Sequence, residues 1–174
     1  EALSTMLAAT MNRKKQQLVP LSEELSYVDA YLYIIKQRYG EKFQYEEQID
    51  ESLLHVEVPR LIVQPIIENA VEHGMNAMRQ GKVTLSVFQR EEKLYIEIMD
   101  DGTLSDADRD KIEILLADRE IKDSVGSTSL GIRNVNRRLK IIYGEECGLV
   151  IGTNDENHTI STLIISMNRQ EEQG

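Results

Sequence analysis

The chain has 174 residues, 41% of them hydrophobic and 29% charged. That length and composition fit one soluble globular domain with a core and space for a ligand pocket, and exclude a disordered or fibrous chain. Its 20 basic and 30 acidic side chains leave a net charge of −10, which repels phosphate backbones and anionic lipid, so neither nucleic acid nor a membrane surface is an expected partner.

The single cysteine, Cys147, excludes an internal disulfide, and with the scattered His55, His73 and His158 it offers no zinc spacing. No apolar run approaches the ~20 residues of a membrane helix. The lone cysteine makes a reducing, cytoplasmic compartment the expectation, and the start at Glu1 rather than Met predicts a piece of a longer protein.

In chain order, residues 1–20 hold helix formers (Ala2, Leu3, Met6, Leu7) and then the basic run Arg13-Lys14-Lys15-Gln16-Gln17 before Pro20, which predicts the end of a longer helix and a linker. Ser22 is placed to cap the next helix, with Glu23 and Glu24 in its first turn against the dipole. Leu25, Val28, Leu32, Ile35 and Tyr39 recur every three or four residues up to Gly40. Phe43, Tyr45 and Ile49 predict a strand, and a helix is predicted over 59–73.

Val83, Leu85 and Val87 alternate with polar residues, as do Leu94, Ile96 and Ile98 after the turn Glu91-Glu92-Lys93, which predicts a hairpin with one buried face. Residues 104–129 are polar, with one weak helix around Ile112, Leu115 and Leu116. The small-residue run Ser124-Val125-Gly126-Ser127-Thr128-Ser129 follows, and residues 106–129 are expected to be poorly ordered without a ligand. A further helix carries Ile132, Val135, Leu139 and Ile142 on one face and stops at Gly144. Strands over 149–153 and 160–167 flank the turn Asn154-Asp155-Glu156-Asn157. This order predicts an α+β two-layer sandwich, a mixed and mostly antiparallel sheet with helices on one face.

Three places could carry chemistry. Asn69 and His73, four apart, share a helix face with Ile62 and Ile66, flanked by Glu68 and Glu72. An unpaired buried amide costs ~1–3 kcal/mol, so Asn69 needs a neighbour or a ligand. Asp100 falls on the buried parity of its strand, where a carboxylate can accept a hydrogen bond from an amino group on a planar ring, and Gly102 lets the backbone approach. Gly126 and Gly131 bracket small hydroxyl residues before a helix, where backbone amides and the helix dipole can cradle phosphate. Each feature alone is also ordinary structure: a satisfied core asparagine, a strand-end turn, a capped linker. No P-loop or dinucleotide fingerprint occurs.

Together the three resemble a family. Gln64-Pro65-Ile66-Ile67-Glu68-Asn69-Ala70-Val71-Glu72-His73-Gly74, then Ile98-Met99-Asp100-Asp101-Gly102, then Leu130-Gly131-Ile132-Arg133-Asn134-Val135-Asn136-Arg137-Arg138-Leu139 are similar to the N, G1 and G2 boxes of the LytS/YehU-type sensor histidine kinases, within the GHKL superfamily of Bergerat-fold ATPases. Leu21-Ser22-Glu23-Glu24-Leu25, with Tyr31-Leu32 and Arg38-Tyr39-Gly40, resembles the segment between the dimerisation helices and the ATP domain of such kinases. The resemblance covers residues 18–167.

It implies a Bergerat-type sandwich, with residues 1–20 as the end of a dimerisation helix and linker and residues 21–170 as the catalytic ATP-binding domain. ATP and Mg²⁺ are the implied cofactors. The γ-phosphoryl would pass to a histidine outside this chain and then to a response regulator, in a parent that forms homodimers through its dimerisation helices and is anchored in the bacterial membrane. By the same resemblance Asn69 matches the Mg²⁺ ligand, Glu68 the catalytic acidic neighbour that polarises the attacking group, and His73 a position near the phosphates. Asp100 matches the adenine-reading carboxylate, with Gly102 giving the ring room. Gly131 and Asn134 match the G2 box beside the phosphates, and Thr159 the threonine near the adenine, preceded by His158 where a glycine is usual.

The sequence also departs from the family. Asp101 replaces the usual asparagine, and Leu104 and Ser129 stand where glycines are usual, which restricts the backbone around the site. No Asn-Pro-His-Phe acceptor run occurs in residues 1–20. Two alternatives stay open: a GHKL ATPase without a histidine acceptor, and a degenerate nucleotide-binding regulatory module.

Overall fold

The computed structural model describes residues 18–78, 80–117 and 127–168. Its first element, strand β1 (Leu18–Pro20), occupies part of the expected linker. It pairs antiparallel with β3 (Glu57–Pro59), Val19 opposite Val58, and Pro20, which has no N–H to donate, ends it.

Helix α1 (Leu21–Tyr39) follows directly. Ser22 was expected to cap it but lies inside the helix, and no side chain caps the start. The free amides are met by main chain instead: Leu21 N donates to Val56 O at 2.8 Å and Ser22 N to Leu54 O at 3.0 Å. Gly40, at φ +56°, closes the helix, and its N–H reaches Lys36 O. Val28, Leu32 and Ile35 of the predicted stripe are buried.

Glu24 is buried as well, with no exposed surface. Its carboxylate accepts three main-chain N–H groups, from Leu61 (2.6 Å), Ile62 (2.9 Å) and Val63 (3.1 Å). These are the amides just before helix α2 (Gln64–Met78). The helix expected over 59–73 therefore starts and ends five residues late. Pro59 closes β3, and Leu61 takes a left-handed φ of 58°. The amides of 61–63 are held by a side chain from a distant part of the sequence rather than by a local cap. At Gly74 a Cβ would lie only 3.3 Å from Asp101 Oδ1, so the missing side chain lets α2 lie against the end of the strand Lys93–Asp100.

The main sheet has the order β2-β4-β5-β7-β6, with β2 (Phe43–Ile49) parallel to β4 (Gly81–Arg90) and every other pair antiparallel. The predicted hairpin joins β4 to β5 (Lys93–Asp100), Val83 opposite Asp100 and Arg90 opposite Lys93. Strands β6 (Gly148–Thr153) and β7 (Thr159–Ser166) complete it. Leu94, Ile96, Ile98 and Asp100 on β5, with Thr159, Ser161, Leu163 and Ile165 on β7, form the buried face. Helix α2 packs on β4 and β5, and α4 (Ser127–Tyr143) on β6 and β7. The expected α+β sandwich is what forms.

The weak helix of the polar stretch is α3 (Asp106–Leu116), started by a reciprocal cap between Ser105 and Asp108 and holding Leu115 in the core. Of the expected small-residue loop, residues 124–126 lie outside the described residues, and Ser127, Thr128 and Ser129 already belong to α4. Buried Asn136 on α4 joins three elements, donating to Leu116 O (3.2 Å) and accepting from Leu149 N (2.9 Å). Among the described residues no helix is long and apolar enough to cross a membrane.

Candidate functional site

The sheet delivers Asp100 at the last position of β5 on the helix-covered face, where it is 1% exposed. Its Oδ1 accepts Gly102 N (3.0 Å) and faces His73 Nδ1 at 2.8 Å. No described residue hydrogen-bonds Oδ2. Opposite Asp100 in register stands Thr159, whose N–H and hydroxyl both donate to Gly102 O, at 3.1 and 2.9 Å. Gly102 is thus held from both sides. A Cβ on it would stand 2.7 Å from His73 Nδ1 and 2.8 Å from Asp100 Oδ1, so the space over the glycine is taken by the imidazole.

Helix α2 brings the other residues. Glu68 and Asn69 are half-buried one turn before His73. Glu68 Oε1 accepts from Gln64 Nε2 at 2.9 Å, whereas the Asn69 amide has no hydrogen-bond partner among the described residues. The resemblance sets His73 near the phosphates, and in the structure its ring lies on Asp100 and Gly102, with Nε2 at 3.2 Å from Thr103 O. Gly131 marks where α4 meets α2: a Cβ there would lie 3.6 Å from Pro65 Cβ. Asn134 is exposed on α4 and makes no hydrogen bond to the other site residues. The structure therefore joins His73, Asp100, Gly102 and Thr159 by hydrogen bonds, sets Glu68 and Asn69 beside them on α2, and leaves Asn134 outside this network.

Asp101, at the usual asparagine position, accepts Lys82 N (3.1 Å) and donates its own N–H to Lys82 O (3.3 Å). An acceptor is all that this site requires, so a carboxylate serves as well as an amide oxygen. Among the described residues no three His, Cys, Asp or Glu side chains cluster as a metal cage. The unpaired half-buried amide oxygen of Asn69 suits a hard cation that takes most of its oxygen ligands elsewhere.

Burial pushes the Asp100 carboxyl above the usual carboxylate range, while the hydrogen bond and charge of His73 pull it down. The same hydrogen bond raises the His73 imidazole above its ordinary 6.5, against the opposing effect of burial. His73 therefore holds its proton more tightly in the folded protein. The stability this contributes is complete below pH 6.5 and is lost as pH rises through the folded value. The melting temperature is expected to fall as pH rises above 6.5 through that folded value, and to fall less in His73→Asn. Circular dichroism melts checking this would show equal slopes in the two proteins if the pair contributed nothing.

Glu24 and Asn136 are the residues that sequence reasoning missed. Glu24 sits at the spacing of the buried stripe, three after Leu21 and four before Val28, the same parity that singles out Asp100. Asn136 lies one position from the stripe residue Val135, and nothing local marks it.

A family model for histidine kinases matches residues 1–43. The chain is 28% identical over 171 residues to the sensor protein LytS of Staphylococcus haemolyticus, covering 98% of this chain and 29% of that protein. It is 27% identical over 162 residues to the sensor histidine kinase BtsS of Escherichia coli K12, covering 92% and 26% respectively. The chain thus spans under a third of the length of the curated relatives it matches. Among solved structures it superposes on the catalytic domain of histidine kinase ThkA with a TM-score of 0.63 at 15% identity, covering 88% of this chain and 98% of that one. It also superposes on ThkA in complex with the response regulator TrrA, at 0.59 and 15%, covering 98% and 48%. Over nearly its whole length the chain is similar to the LytS and BtsS sensor histidine kinases, and it shares the fold of the ThkA catalytic domain.

Proposed function

We propose that this chain is the ATP-binding catalytic unit of a sensor histidine kinase and that it directs the γ-phosphoryl of ATP to a histidine outside the chain. The observation that carries the reading is Asp100, a carboxylate buried at a strand end with one oxygen held and the other unbonded. Such an oxygen accepts the amino group of adenine, a planar donor. The hydrogen bonds from Thr159 to Gly102 O hold the turn after Asp100 in place beneath that oxygen.

Along α2, Asn69 would hold Mg²⁺ through its amide oxygen. The ion, when bound, offsets the charge on the phosphates. Glu68, oriented by Gln64, is placed to polarise the attacking group. Gly131 and Asn134 belong to the phosphate end. Catalysis by these residues is a matter of positioning and charge rather than covalent chemistry. In the parent, residues 1–20 would end a dimerisation helix, two copies would pair through those helices, a response regulator would take the phosphoryl group, and a membrane segment would anchor the assembly.

The metal role separates this function from a decayed nucleotide site, which Leu104 and Ser129 at glycine positions would favour. Asn69→Ala is expected to lower ATP affinity about tenfold with Mg²⁺ present and to change it little in EDTA. Calorimetric titration in the two buffers checks it. Equal loss in both removes the metal role from Asn69, and absence of ATP binding by the unmodified chain removes the kinase reading.

A further inference from the structure

His73 stands between two acceptor oxygens. Its two ring nitrogens both face acceptors: Nδ1 lies 2.8 Å from Asp100 Oδ1, and Nε2 lies 3.2 Å from Thr103 O. A neutral imidazole carries one N–H and can satisfy one of them; the imidazolium satisfies both. Asp100 Oδ1 in turn receives two donors, His73 Nδ1 and Gly102 N, and Oδ2 receives none from the described residues. The carboxylate therefore cannot rotate without breaking two hydrogen bonds.

We propose that His73 is a positioning residue for base recognition: its imidazolium clamps Oδ1 of Asp100, so that the carboxylate stays ionised and presents Oδ2 to the base. This rests on the adenine reading of Asp100 proposed above. It assigns His73 to the base end of the site, acting through Asp100 rather than on the phosphates.

Charged neighbours do not substitute for His73. Asp101, next in the chain, opposes ionisation of Asp100, and its own oxygen is turned to Lys82 N. Asp108 on α3 favours the cationic form of His73 and is itself held by Ser105 and drawn down by Lys111. Lys82 on β4 spends its ammonium on Glu46 at 2.8 Å. His73 is thus the one described cation hydrogen-bonded to Asp100. Without it, burial and Asp101 would make Asp100 take up a proton at higher pH, and a protonated Oδ2 no longer accepts from an amino group.

The test is adenosine affinity in EDTA, followed by NMR titration from pH 5 to 8. Adenosine has no phosphate whose own ionisation would enter the profile. Wild-type affinity is expected to stay level over most of this range. In His73→Phe, which keeps a ring without a donor, it should be about tenfold weaker at pH 7 and decline on the acid side from a higher pH than in the wild type. His73→Asn supplies a neutral N–H in place of Nδ1, and is expected to recover most of the affinity at pH 8 while keeping the displaced acid limb. A purely structural role would change affinity equally at every pH.

If either folded variant keeps the wild-type profile, the clamp is refuted and the base reading of Asp100 is left untouched; if His73→Phe does not fold, His73→Asn decides. Wild-type protein that binds neither adenosine nor ATP at any pH overturns the clamp together with the nucleotide reading beneath it, a result distinct from an unchanged profile.

Discussion

Glu24→Ala is expected to lower the stability of the domain by about 3–5 kcal/mol, at the upper end of what single substitutions do. The residue has no exposed surface, and three amides converge on its carboxylate. Ile62 and Val63 are fully buried, so their N–H groups would be stranded, whereas Leu61 is 48% exposed and its amide can turn to water. Two orphaned buried donors at ~1–3 kcal/mol each, plus the cavity left by the side chain, account for the range. In a domain of this size that corresponds to a drop in melting temperature of roughly 10 °C. Glu24→Gln should cost far less, about 1–2 kcal/mol, because its carbonyl oxygen can serve Ile62 and Val63 while its amino group faces the exposed Leu61 amide. Urea unfolding of the three proteins checks both. Glu24→Ala with wild-type stability would mean that these amides find other partners.

Asp100→Asn is expected to weaken adenine nucleotide binding about 10- to 100-fold, a loss of the ~1.5–3 kcal/mol that a charge-assisted hydrogen bond supplies. Gly102 N and His73 Nδ1 both converge on Oδ1, so the asparagine must place its single oxygen there. Its amino group then occupies the position of Oδ2 and points a donor at the donor of the base. The fold should tolerate the change, since burial already disfavours the charge of Asp100, and a melting curve would show it. Because this residue acts on the base, the loss should be the same in Mg²⁺ and in EDTA, the opposite of the behaviour expected for Asn69→Ala. No loss of affinity in either buffer would remove Asp100 from base recognition.

The strands that face a single core were readable because burial on one side imposes a period of two, and a one-residue slip would invert every side chain. Leu94, Ile96 and Ile98 show that period, and Asp100 stands out because it continues it. The start of α2 was not readable from its neighbourhood. Its capping group is Glu24, 37 to 39 positions away, and read locally that residue is only a first-turn acid set against the dipole of its own helix. Strand β1 escaped for a related reason: three residues carry no periodicity, and its pairing with β3 becomes visible only once the chain is folded. Residue identity at the site was likewise more legible than geometry. The sequence marks His73, Asp100 and Gly102, but that the imidazole fills the space above the glycine follows from packing.

The register of the sheet has a kinetic consequence. The hairpin of β4 and β5 is built from near neighbours and closes an inexpensive loop, so that Asp100 is in place early. Thr159 and Gly102 are 57 positions apart, and their hydrogen bonds form only when β7 docks on β5. Loop-closure entropy must be overcome before that contact returns anything, which places it among the slower events of folding. The hydrogen-bonded arrangement of Asp100, Gly102 and Thr159 is therefore absent from any species that has the hairpin but not the central strand pair. A ligand that needs all three residues would bind only after that closure, and its free energy would accrue to the last long-range step rather than to the local structure that precedes it.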